Sequence, residues 1–248
     1  MNEQHKRAVL VGASRGIGAE LARALVGRGY YVALLARRAD ALEPLCAELN
    51  AGGEENARFY LHDVTDYEAV PGLFQAILSD LKRIDAVVYN AGVMPAVGFS
   101  EYDFKKNKAM IDVQLLGSLA WLGAAAVLFE KMGSGQIVGI SSVAAERGRV
   151  KNPGYNASKA GFDTFLEALR NRLTRSGVHV LTVRPGPVDT ELTKEVGGFM
   201  MVQPDVVARD IARAMGRRGQ VIYTPWFWRW IMLIVRNVPS VVFRRMNF

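Results

Sequence analysis

Short runs of aliphatic and β-branched residues recur along this chain, each followed by a longer amphipathic stretch, and this alternation constrains the fold more than any other feature. Ala8–Val11, Tyr31–Ala36, a run near Arg58–His62, Ala86–Tyr89, Gln136–Ile140, Val178–Val183 and Gln220–Tyr223 read as strands. Strands that are apolar almost throughout belong to a sheet covered on both faces. The intervening helical stretches run to about Arg28, from Asp40, from Asp66, across Glu101–Met132 and from Tyr155. The pattern predicts an α/β fold with a single doubly wound parallel sheet and right-handed crossovers. No repeat or Pro/Ser-rich linker divides the chain, so one domain is expected over residues 1–248, with 225–248 as a hydrophobic and basic C-terminal extension.

Composition removes several function classes. Half the residues are hydrophobic, which excludes a disordered or collagen-like chain. One cysteine cannot form an internal disulfide and Met1–Lys6 shows no apolar signal segment, so the cytoplasm is the expected compartment. Cys46 lies in the helical stripe Leu42, Leu45, Leu49 and reads as a core residue. His5, His62 and His179 lack the close spacing of metal ligands, so no metal is expected. The excess of 31 Lys and Arg over 24 Asp and Glu, a net charge of +7, suits an anionic ligand or membrane surface. Charge without a recognised binding module predicts no nucleic-acid partner.

The first strand runs into Gly12-Ala13-Ser14-Arg15-Gly16-Ile17-Gly18 and then a helix. Glycines permit a tight turn and close backbone approach, and a helix N-terminus offers unpaired N–H donors, so this segment suits a pyrophosphate. An NAD site places an acidic residue at the end of the second strand, roughly 20 residues on. This chain has Arg37 and Arg38 there, with Arg15 in the turn itself, a set suited to the 2′-phosphate of NADP(H). Further along, Tyr155 and Lys159 stand four residues apart, on one face of a helix. A neighbouring ammonium would bring a phenol, with a pKa near 10, closer to the working range of a proton donor.

These segments, with Asn90-Ala91-Gly92, Ile140-Ser141-Ser142, and Pro185-Gly186 followed by Val188 and Thr190, resemble the short-chain dehydrogenase/reductase family in its NADP(H)-preferring branch. The resemblance extends from about residue 5 to residue 224 and implies the Rossmann fold. It implies that Tyr155 protonates a carbonyl oxygen that Ser142 holds, with Ser141 a bystander. Lys159 would lower the tyrosine pKa and hydrogen-bond the nicotinamide ribose. Gly12, Ser14, Arg15, Gly16, Ile17 and Gly18 would hold the pyrophosphate, Asp63 and Val64 the adenine end, Asn90–Gly92 the middle, and Pro185, Gly186, Val188 and Thr190 the nicotinamide amide. A homo-oligomer, dimer or tetramer, is also implied.

One position departs from the family pattern. Val113-Gln114-Leu115-Leu116-Gly117 carries glutamine where the family has asparagine, at a helix kink whose water chain feeds the lysine. Gln114 is therefore counted with the catalytic set, its longer reach leaving the relay in question. Two readings follow: an NADPH-dependent reductase of a hydrophobic or lipid-like ketone, or an NADP(H)-binding sensor or membrane-surface protein with weak turnover. The flexible stretch Glu191–Gln203, with Gly197, Gly198, Phe199, Met200 and Met201, reads as a lid over the substrate. Trp226–Arg236 is interrupted by arginines and is too short for the roughly 20 apolar residues of a bilayer span. It is left as a pocket lid or oligomer contact, or as an interfacial helix that makes the protein peripheral to a membrane.

Overall fold

A computed structural model describes residues 5–194, 200–217 and 219–246. Seven parallel strands form one sheet: β1 (Lys6–Val11), β2 (Tyr30–Ala36), β3 (Ala57–Leu61), β4 (Ala86–Tyr89), β5 (Gly135–Ile140), β6 (Val178–Pro185) and β7 (Val221–Thr224). Their order is β3-β2-β1-β4-β5-β6-β7, so the winding reverses between β1 and β4. At such a reversal the crossovers leave in opposite directions and a crevice opens at the carboxyl ends of the two strands.

Side chains alternate across the sheet and build two apolar layers. Ala8 and Leu10 face the layer beneath α1 (Ile17–Val26), α2 (Ala39–Leu49) and α7 (Pro204–Met215), with Leu21, Leu25, Val207 and Ile211 in the same cluster. Val9 and Val11 face the opposite layer, filled by Trp121, Phe129, Phe162 and Leu166 from α5 (Gly117–Met132) and α6 (Pro153–Leu173), with α3 (Val70–Leu81) beside them. Cys46 is half-buried against the first layer, and its Sγ donates to the Ala57 carbonyl at 3.2 Å.

Two helix boundaries differ from the sequence expectation. The helix expected from Asp66 begins at Val70, because Asp63 accepts from the backbone and hydroxyl of Thr65 and holds the preceding residues in turns. The stretch expected as one helix over Glu101–Met132 starts at Phe104, capped by Asp103, as α4 (Phe104–Ile111). It then passes through a π-helical turn over Asp112–Leu116 before α5. That turn frees backbone carbonyls, and two phenols take them: Tyr89 donates to Val113 and Tyr67 to Asp112. The run Phe104–Met132 is long and apolar enough to cross a membrane, yet Trp121, Leu122, Ala125 and Phe129 are packed on the sheet.

Beyond β7 the chain forms α8 (Trp228–Asn237) and a short α9 (Ser240–Phe243). Trp228 and Met232 bury themselves with Val143 in a third apolar cluster, so α8 is fixed against the carboxyl edge of the sheet.

Candidate active site

The glycine turn is shaped by two neighbours. The backbone N–H groups of Gly12 and Ala13 both donate to the Leu35 carbonyl, at 2.8 and 3.0 Å, tying the turn to the end of β2. Asn90 Nδ2 donates to the Gly12 carbonyl at 2.7 Å, tying it to β4. Gly12 sits at φ 87°, and a Cβ there would lie 2.6 Å from the Ala91 nitrogen, so no other residue type fits. Gly16 stands at the N-cap of α1 and no side chain caps that end. The helix therefore offers its unpaired donors and positive dipole end to whatever lies against it.

What lies against it is a groove of about 470 Å³ along the carboxyl ends of the central strands, within the size range of ligand sites. All the site residues expected from sequence line this groove except Gly18 and Gln114. Gly18 is buried under the turn, where a Cβ would fall 2.1 Å from the Gly12 carbonyl oxygen, so its part is packing. Arg37 and Arg38 stand exposed at one end, with no carboxylate at the end of β2 to receive a ribose hydroxyl. Arg37 lies 3.6 Å from Asp63. Burial pushes the Asp63 carboxyl up, but hydrogen bonds from Thr65 and the Arg37 charge outweigh it and hold the group below its ordinary range. Arg15 is ion-paired with Glu191, and Thr190 packs over Gly16, so the segment after β6 bridges the turn. Within the expected lid, Glu191, Leu192 and Thr193 line the groove and Met200 is half-exposed; Gly197, Gly198 and Phe199 lie outside the described residues.

The groove's other end carries the proton chemistry. Ser142 follows β5 as the cap of a 3-10 turn and accepts from the Ala144 backbone at 3.1 Å, which leaves its own O–H free to donate. Tyr155 and Lys159 come from the first two turns of α6 and share one face, with Lys159 Nζ 5.9 Å from the Tyr155 ring centre. Burial pushes the Tyr155 phenol up, while the hydrogen bond with Ser142 and the charge of Arg149 pull it down. Burial prevails, so the phenol stands above its ordinary value with Ser142 and Arg149 opposing. Lys159 Nζ donates to the Ile140 carbonyl at 2.9 Å. Burial pushes its ammonium down to about 8, with Asp163 opposing.

Gln114 sits fully buried in the π turn, so the expected helix kink is present. Its Oε1 accepts from the Val93 backbone and its Nε2 donates to Ser158 Oγ, both at 3.0 Å. Ser158 in turn donates to the Tyr155 carbonyl at 2.8 Å. Gln114 therefore clamps the helical turn that bears Tyr155 to the loop after β4, and its amide reaches Ser158 and Val93, not Lys159.

Three neighbours escaped the sequence reading. Ser141, read as a bystander, lines the groove, and its buried Oγ has no protein partner. His62 lines the groove beside Asp63 and stacks edge-on against Trp121, ring centres 5.3 Å apart, with burial pushing its pKa down. Arg149 acts on Tyr155 from a loop six residues upstream, a relation that no residue spacing announces.

The groove fits a nicotinamide dinucleotide on this chemistry: uncapped helix donors in the middle, guanidinium groups at one end, a hydroxyl, phenol and ammonium at the other. Known proteins point the same way. A family profile described as short chain dehydrogenase matches residues 6–199. An uncharacterised oxidoreductase of Mycobacterium tuberculosis is 32% identical over 235 residues, covering 92% of this chain and 91% of that one. The glycine betaine reductase ATRR of Emericella nidulans is 36% identical over 225 residues, which are 85% of this chain and 17% of that protein. Among solved structures, a short-chain dehydrogenase from Sphingobium yanoikuyae in complex with NADPH is similar with a TM-score of 0.81 at 25% identity, covering 95% of this chain and 97% of that one.

Proposed function

The chain belongs to the short-chain dehydrogenase family and is an oxidoreductase that uses a nicotinamide cofactor, and from that premise we propose that it is an NADPH-dependent reductase of an apolar ketone. One observation carries this reading: Ser142, Tyr155 and Lys159 converge at one end of a groove whose other end presents Arg37 and Arg38. The NADPH complex of the Sphingobium relative supports the choice of cofactor. Gly16, Ile17 and Arg15 would hold the pyrophosphate and Arg37 and Arg38 the 2′-phosphate. Asp63 and Val64 would hold the adenine, Asn90–Gly92 the middle, and Pro185, Gly186, Val188 and Thr190 the amide. When bound, NADPH supplies hydride to the carbonyl carbon.

The protein's own groups do the rest. Ser142 donates a hydrogen bond to the carbonyl oxygen and fixes it beside Tyr155, which transfers its phenolic proton to that oxygen as negative charge develops. The resulting phenolate is stabilised by the Ser142 hydroxyl and the Arg149 charge, and the Lys159 ammonium nearby favours it electrostatically. Lys159, which lines the groove, would also donate to the nicotinamide ribose.

The apolar substrate is inferred from Val93, Val188 and Leu192 along the groove, since each apolar Å² covered contributes about 25 cal/mol. A homo-oligomer fits the partly exposed Leu116 at the end of the π turn and Leu119 and Val127 on α5. A cytoplasmic setting fits the single half-buried thiol of Cys46.

The test is cofactor consumption against ketones of graded chain length, with NADPH and NADH, beside Tyr155→Phe. The expected result is turnover that rises with chain length, prefers NADPH and falls by about 10³-fold or more in the variant, with NADPH affinity retained. Unchanged turnover in Tyr155→Phe would remove the mechanism.

A further inference from the structure

The outer face of α8 is apolar although its inner face already is. Inward, Trp228 and Met232 are buried, with Ile231 and Val235 packed beside them. Outward, Trp230, Leu233 and Ile234 follow one another at helical spacing, Ile234 being 69% exposed, with Trp226 before them 72% exposed. Val241 and Val242 of α9 are exposed as well. A helix that shows aromatic and aliphatic side chains on its open side, between arginines, is suited to a boundary where an apolar phase meets a charged one.

The hairpin is held in place. Arg147 donates to the Val235 and Val238 carbonyls, both at 2.6 Å, closing the C-terminal end of α8, and its guanidinium stacks 3.9 Å over the Phe243 ring. Arg236 pairs at 3.1 Å with Glu146, a buried carboxylate that Arg184 also approaches. The outward residues are thus displayed on a fixed element.

We propose that this α8–α9 face docks the protein on a bilayer containing anionic lipid. The charge pattern chooses the occupant. Residues 225–248 contain four arginines, Arg229, Arg236, Arg244 and Arg245, and no aspartate or glutamate. Arg229, Arg244 and Arg245 are exposed, with no carboxylate partner among the described residues, and lie on the same hairpin as the two exposed tryptophans. Tryptophan and arginine beside aliphatic side chains match the interfacial layer, where indoles settle at headgroup depth and guanidinium groups meet phosphates. A second copy, set two-fold against the same face, would bring two basic faces together with no carboxylate on either to meet the arginines. Trp228 rests on Gly186, where a Cβ would fall 2.0 Å from the indole nitrogen, so the docked face lies at the same sheet edge as the groove.

Sedimentation of the full chain with phosphatidylcholine vesicles, with and without phosphatidylglycerol, tests this without reference to turnover. The expected result is binding to the anionic vesicles alone, weakened by salt. Binding falls by at least about tenfold in Trp230→Ser/Ile234→Ser, which removes apolar contact with the bilayer, and again in Arg244→Glu/Arg245→Glu, which reverses two charges that would face its phosphates. Both pairs are exposed, and reduction of a water-soluble ketone, where it occurs, is unchanged in them. Failure to sediment with anionic vesicles overturns the proposal. So does unaltered vesicle binding in both variants, or light scattering that shows Trp230→Ser/Ile234→Ser breaking an oligomer while vesicle binding persists.

Discussion

The two ends of the groove are built in opposite ways. The end proposed for the nucleotide is built around one contiguous turn, Gly12–Gly18, braced by backbone hydrogen bonds to Leu35 and the Asn90 amide, with Arg37 and Arg38 beyond it. The chemical end is assembled from far-apart segments: Ser142 after β5, Tyr155 and Lys159 on α6, Gln114 in the π turn, with Gly186 and Trp228 behind. The first recognises charge and shape through donors that do not titrate near neutrality. The second would work through groups whose proton affinities depend on burial and on the polar and charged side chains around them. A local device tolerates change elsewhere in the chain; a convergent one is sensitive to every segment that feeds it.

Substituting both arginines at the nucleotide end gives the largest expected separation between the two. Arg37→Ser/Arg38→Ser should weaken NADPH by about 100-fold, the worth of two charge-assisted contacts, while NADH and the maximal rate change little. Titration of both cofactors by fluorescence reads this directly, and equal losses for NADPH and NADH would show that this end does not read the 2′-phosphate.

A smaller effect is expected at the chemical end from Gln114→Asn. The shorter side chain cannot span both the Val93 N–H and Ser158 Oγ, so one buried bond is lost at about 1–3 kcal/mol and Tyr155 loosens. A fall in kcat of about tenfold with a lowered Tm is expected. A large gain in rate would instead mark this glutamine as the cause of weakened turnover, favouring the sensor reading.

The last is a pH slope, gradual where the others are abrupt. Lys159 is pushed down to about 8 in the folded chain from an ordinary value of 10.5, so between those values the unfolded chain holds a proton the folded one has released. Stability from this group therefore rises with pH across that window, by up to about 1.4 kcal/mol per unit, and is unchanged below it. Urea unfolding at stepped pH should show the wild type gaining over Lys159→Met from pH 8 upward, and parallel curves would contradict the burial argument.

How much of this was legible in the sequence follows from the same contrast. The strands, the sheet class and the glycine turn were readable because each is written in a few consecutive residues. Tyr155 and Lys159 could be paired because four residues make one helical turn. The role of Arg149, the unpartnered hydroxyl of Ser141 and the anchoring of Gln114 depend on side chains that meet only after folding. Helix starts were misplaced where Asp63 and Asp103 bind backbone N–H groups of their own accord, a competition that apolar periodicity does not register.

The π turn over Asp112–Leu116 has one more consequence, and it concerns insertions and deletions. A π turn absorbs one extra residue without turning the helix further, so what comes before and after stays in phase. Removing one residue there would restore a plain α-helix and leave Trp121 and Phe129 on the sheet, while the carbonyls that Tyr89 and Tyr67 now take would return to the helix ladder. A residue gained or lost within α5 itself would instead turn everything beyond it by about 100°. This stretch tolerates a change of length that the regular helix beside it does not.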